Sequence, residues 1–161
     1  MHRFLTVLLV VACAAPVRYV PGTKIPFSRP NESVLKACEE YRLAVERTDF
    51  DALMLMASKQ YWEDSGTPSG GDDYGYEGLR TVLTTRLPKA SDIRYSLRYV
   101  DITEQCPIDL KPGCRAAVSV LIDASFTVTD ALGKPMRPDK RDQNQLVLEW
   151  DGHRWLFLSG M

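Results

Sequence analysis

The sequence has almost no histidine: His2 and His153 are the only two in 161 residues. Protein zinc sites draw on clustered histidine and cysteine, so no metal site is expected. An excess of positive charge is missing too. Lysine and arginine number 20 against 21 acidic residues, a formal net charge of -1. With no basic run, the chain lacks the electrostatic footprint of nucleic-acid binding, and no nucleic-acid partner is expected. There is no internal repeat, no low-complexity tract and no cofactor motif, so no cofactor is expected. The longest apolar run, Phe4–Ala12, would rise only about 13–14 Å as a helix, far less than a bilayer core requires.

What is present begins at the first residue. Met1-His2-Arg3 is a short basic start, and the apolar run ends in Val10-Val11-Ala12-Cys13. A charged start, a short apolar stretch and a small-residue end make a signal peptide over residues 1–12. The ending resembles the lipobox of bacterial lipoproteins, with Val10 in the usual leucine position. That resemblance implies cleavage before Cys13 and acylation of Cys13 with chains such as palmitate; a plain secretory signal is the alternative. Ala14, rather than an aspartate, implies sorting to the outer membrane by the Gram-negative rule. Residues 13–30 contain Pro16, Pro21, Pro26 and Pro30. They read as a lipidated tether that could extend roughly 50 Å. Residues 31–161 then form one domain, large enough for a real core.

Four cysteines need accounting. Cys13 is the candidate lipid site. Cys106 and Cys114 bracket a turn-rich loop between two strand-like runs, and outside the cytoplasm they can form a disulfide; two separate thiols are the alternative. Cys38 falls on the apolar face of a helix and reads as a small buried hydrophobe.

Asn31 or Ser33 caps a helix to about Arg47, with Val34, Cys38, Tyr41 and Val45 at helical spacing. Thr48-Asp49 stops it and starts a second helix, Phe50 to Ser58. Tyr61 to Asp64 reads as a short strand, in which Glu63 points away from Asp64 into solvent. A Gly/Pro/Asp-rich loop follows, then a third helix from Tyr76 to Leu87. Strands come last. Ile93 to Tyr99 alternate, Ala116 to Val128 alternate over a long run, and Leu146 to Trp150 lead through Asp151-Gly152 into Arg154 to Leu158. Asp123 lies on the polar face of the longest strand. Helices first and antiparallel strands after predict an α+β domain with helices on one side of a curved sheet.

Tyr41-x-x-x-Val45, Thr48-Asp49-x-x-x-Leu53, the aromatic strand ending in Asp64, and Tyr76-Glu77-Gly78-Leu79 opening a helix resemble the NTF2-like (SnoaL-like) superfamily. The resemblance covers about Val34 to Ser159. It implies a cone: three N-terminal helices packed on a curved antiparallel sheet, with a pocket at the open end. Within the superfamily, ketosteroid isomerases use an aspartate base and an oxyanion hole of a tyrosine and a protonated aspartate. By that resemblance Asp64 takes the place of the base and Tyr41 the place of the electrophile. The third position falls on Leu146, and the nearest acid, Asp142, is set aside as needing a shift of strand pairing. Trp62, Tyr74 and Tyr76 could line a ligand mouth or simply cover the cone. Tyr41 can equally be core, and Asp64 can equally cap its own turn.

Two readings follow. In the first, an envelope lipoprotein binds a protein partner, an envelope component or a second copy through its sheet face, without catalysis. In the second, a pocket takes a small apolar molecule, with or without isomerase- or dehydratase-like chemistry at Asp64 and Tyr41.

Overall fold

The computed structural model describes residues 16–64, 68, 70–106 and 110–161. The leader expected over residues 1–12, and Cys13, lie outside the described residues. Helix α1 (Arg29–Glu46) starts earlier than expected. Its cap is Ser28, whose Oγ accepts the Asn31 amide at 3.0 Å. Arg29-Pro30 fits in the first turn, where a proline costs no hydrogen bond. After α1, Thr48 takes a left-handed φ of 53°, and Asp49 Oδ1 caps α2 (Phe50–Met56) by accepting the Ala52 amide at 3.0 Å.

The tether expected over 13–30 does not hold from Tyr19 onward. Val20 and Ile25 are buried in the main core. The Val20 amide donates to the Ile25 carbonyl at 2.9 Å, and Tyr19 pairs with Pro26. Val20 and Ile25, both buried and opposite each other across a turn with Gly22 at φ 76°, overcome the extended bias of the prolines. The packed body therefore begins near Tyr19 rather than Asn31.

Strands β1 (Trp62–Glu63) and β2 (Tyr74–Gly75) form a small antiparallel pair that opens α3 (Tyr76–Arg86). A 3-10 turn, Leu87–Lys89, closes α3 at Pro88. The main sheet comprises β3 (Ser91–Glu104), β4 (Arg115–Thr129), β5 (Pro135–Met136), β6 (Asp139–Trp150) and β7 (Trp155–Ser159). The order is β3-β4-β6-β7, antiparallel throughout, with β5 on the far end of β4. On β4, Ala116, Val118, Val120 and Ala124 are buried, while Asp123 is exposed on the opposite face. The period of two sets this division. Three helices on a curved antiparallel sheet is the α+β arrangement expected from the sequence.

Two side chains of α1 bind the outer edge of β3. Glu46 Oε1 accepts the Tyr95 amide at 3.0 Å, and Arg42 donates to the Tyr95 carbonyl at 3.3 Å. Arg42 and Glu46 pair at 2.8 Å. The Tyr95 amide and the Arg42 guanidinium hold the Glu46 carboxyl below its ordinary value. On the opposite edge, the Ser58 amide donates to the Phe157 carbonyl at 2.8 Å.

Cys106 and Cys114 are joined as a disulfide, with Cα atoms 5.0 Å apart across a separation of 8 residues. Closing a loop that short stabilises by about 2–3 kcal/mol in chain-entropy terms. Cys38 is a free, buried thiol, and burial pushes its pKa far up. It packs as a small hydrophobe, as its helical spacing predicts.

Candidate functional site

Tyr41 reaches the centre of the fold from α1. Its ring lies 5.1 Å from the Phe157 ring and 6.0 Å, edge-on, from the Tyr95 ring. Its hydroxyl sits 3.5 Å from the Tyr95 hydroxyl. Only 4% of Tyr41 is exposed. Burial, and then Tyr95 beside it, raise the phenol well above its ordinary pKa. The residue is core, with its polar tip given to a second tyrosine.

Asp64 is exposed, immediately after β1. The acid that turns inward is its neighbour. Glu63 Oε2 accepts the Tyr61 hydroxyl at 2.9 Å and the Gly160 amide at 2.8 Å. The expectation that Glu63 is solvated is thus corrected. Tyr61 is buried, and a strand's period of two puts Tyr61 and Glu63 on one side and Trp62 and Asp64 on the other. Around Glu63 the chain end is tied down. The Met161 amide donates to the Tyr61 hydroxyl at 3.1 Å, and Asn144 Nδ2 donates to the Gly160 carbonyl at 2.9 Å. Burial, with Glu63 adding to it, pushes the Tyr61 phenol far up.

The third position is apolar in fact: Leu146 is fully buried in the main core. Asp142 needs no change of pairing to share its face. It lies four residues back on β6, the same side by alternation, but opposite Ile122 and exposed. Four residues of strand are about 13 Å, so Asp142 stands at the rim where Leu146 stands in the floor. The rim residue missed by sequence reasoning is Tyr95, which approaches Tyr41 and feels the Asp142 charge. Only the alternation of β3 hinted at its inward direction.

Trp62, Tyr74 and Tyr76 cover rather than line. Trp62 is exposed. Tyr74 stacks on Tyr61 with centroids 6.3 Å apart. The Tyr76 hydroxyl donates to the Met54 carbonyl at 3.4 Å, and Lys59 Nζ stands 3.7 Å over its ring. Tyr74 and Tyr76 pack against a second small core of Met54, Ala57, Tyr61 and Leu79. Tyr74 approaches so closely that a Cβ at Gly78 would collide with the Tyr74 Cβ, which is why glycine opens α3.

A cleft with apolar walls lies elsewhere. A space of about 480 Å³ opens between α1, α2 and the β6–β7 turn. Leu55, Met56, Trp150 and Phe157 give it apolar walls, and Lys36, Glu40, His153 and Arg154 stand on its lining. Neither Tyr41 nor Asp64 belongs to it. Among the described residues, no cluster of three or more potential ligand side chains could hold a metal ion.

The arrangement is shared with known structures. A conserved protein from Planctomyces limnophilus superposes with a TM-score of 0.63 at 11% identity, over 82% of this chain and 98% of that one. An NTF2-like protein from Cytophaga hutchinsonii gives 0.58 at 15% identity, over 83% and 96%. A candidate dehydratase of the NTF2-like family from Streptomyces avermitilis gives 0.57 at 14% identity, over 81% and 92%. No protein-family profile and no curated protein matches the sequence. At these identities the likeness carries the fold, which is NTF2-like, and fold alone does not carry function.

Proposed function

We propose that this chain is an envelope lipoprotein, anchored through Cys13, whose NTF2-like domain binds a partner without catalysis. The observation that carries the reading is the filled cone. Tyr41 is packed against Phe157 and Tyr95, with its hydroxyl 3.5 Å from the Tyr95 hydroxyl, while Asp64 is exposed after β1. A base and an electrophile must both reach one reacting centre, and a buried Tyr41 with an exposed Asp64 lends that arrangement little support. The surface left for binding is the outer face of the sheet. Leu121, Val147, Leu156 and Leu158 lie there by alternation, none fully buried. Arg141 pairs with Asp123 at 3.2 Å beside them.

The test has an anchoring arm and a binding arm. In a Gram-negative host the full chain is expected to take up labelled palmitate and to fractionate with membranes, and Cys13→Ser to do neither. A photo-crosslinker placed at Leu121 is expected to give a discrete protein adduct in intact cells. An unlabelled, unsedimented wild type overturns the anchor, and the absence of any adduct from the sheet face overturns the partner.

The cleft supports a second reading, a carrier of a small apolar molecule. Its volume of about 480 Å³ lies within the range of roughly 300–1,000 Å³ of ligand sites. Fatty or aromatic acids are then expected to change the fluorescence of Trp150, and Leu55→Arg to remove the response. Silence across both acid classes rules the carrier out.

A further inference from the structure

The prolines before α1 are not a featureless spacer, and their segment has an unusual surface. Among the described residues, nine large hydrophobic side chains are exposed, and three of them fall within residues 17–27: Val17 at 63%, Tyr19 at 54% and Phe27 at 45%. The segment is a ribbon. Tyr19 pairs with Pro26, and the Phe27 amide donates to the Arg18 carbonyl at 2.8 Å. Val20 and Ile25 fasten it to the core, so the exposed groups project from a fixed base.

The charge on the ribbon has one sign. Arg18, Lys24 and Arg29 are exposed, and no acidic residue occurs between Cys13 and Glu32. In a chain with a net charge of -1, this is a local concentration of positive charge. Tyrosine and other amphipathic rings favour the headgroup level of a bilayer, and basic side chains are drawn to anionic lipid. Tyr19 is only six residues from Cys13 in the sequence.

We propose that the Val17–Arg29 ribbon is a membrane-docking surface that seats the domain on an anionic phospholipid bilayer, with Val17, Tyr19 and Phe27 at the interface and Arg18, Lys24 and Arg29 on the headgroups. Its place in the cell rests on the anchoring reading above. The physical claim does not, because the ribbon lies wholly outside the acylation site. Lipid chains give hold, and a basic patch beside them supplies a second signal. The domain is then held against the lipid in a fixed orientation, in place of swinging on a long leash.

A chain of residues 14–161 tests this, since every residue of both cores lies at Val20 or beyond and Cys13 is gone. It is expected to co-sediment with vesicles of phosphatidylethanolamine and phosphatidylglycerol, to ignore vesicles of phosphatidylcholine, and to be released by salt. Replacing Arg18, Lys24 and Arg29 together with serine is expected to weaken partition on the order of 100-fold, about fivefold per charge. Tyr19→Ser with Phe27→Ser is expected to weaken it on the order of tenfold or more, from the apolar area withdrawn. All five positions are exposed, and unchanged thermal midpoints confirm that the variants fold. Should the unaltered chain stay in the supernatant, bind both vesicle types equally or resist salt, the proposal is overturned without recourse to the variants. Failure of palmitate labelling removes the anchor and leaves this result standing.

Discussion

Gly160→Ala is expected to lower the unfolding free energy by about 3 kcal/mol or more. Gly160 has a left-handed φ of 88°, a conformation that costs other residues about 1–3 kcal/mol. Added to that strain is a collision, since a Cβ there would strike the Gln145 carbonyl oxygen on β6. The backbone cannot yield cheaply, because the Gly160 amide is held by Glu63 and its carbonyl by Asn144. A denaturant midpoint that falls with an unchanged slope is the signature of lost stability alone. A loss below about 1 kcal/mol would show that the last residues can shift freely, and that this account of the chain end is wrong.

The second large effect is at Glu63. Glu63→Ala removes a carboxylate that accepts from the Tyr61 hydroxyl and from the buried Gly160 amide. Hydrogen bonds to a charged group contribute about 1.5–3 kcal/mol each, so a cost of about 3 kcal/mol is expected, mainly from the stranded amide. Asp64→Ala, at an exposed position, is expected to cost less. Equal costs at the two positions would contradict the assignment of Glu63 to the inner face. The Glu63→Ala and Gly160→Ala losses are expected to add to less than their sum when combined, because both break the same contact.

This pair of acids also marks where sequence reading stopped working. The long alternation of Ala116 to Val128 announced β4, and the spacing of Val34, Cys38 and Tyr41 announced α1, because burial on one face writes a period into a sequence. Trp62-Glu63-Asp64 carries no such record. Two residues of strand are too short for a period, and the side each acid takes is set by the burial of Tyr61. The first half of β6 was invisible for a related reason. Asp139 to Gln143 are polar on both faces, and they form a strand only because β4 extends far enough to pair with them, Ser125 against Asp139 and Asp123 against Arg141. Ser28 was missed as the cap because Arg29-Pro30 reads as a break, although proline is well suited to a first helical turn. The candidate pair Tyr41 and Asp64 came from family resemblance. Tyr41 is buried and Asp64 exposed, a difference of side-chain direction that spacing along the chain does not encode.

The Arg42–Glu46 pair on α1 has a further consequence for encounters between copies of the chain. An uncovered sheet edge is a template on which a neighbouring chain can grow, and long edges invite runaway polymerisation. β3 is such an edge, 14 residues long. Its Tyr95 amide and carbonyl are already occupied by the protein's own helix, and irregularities between Ser91 and Arg94 and between Tyr99 and Asp101 break the ladder on either side. At the other margin, Ser58 occupies the Phe157 carbonyl of β7. These small plugs leave an edge-to-edge encounter between copies without a continuous rail to zip along.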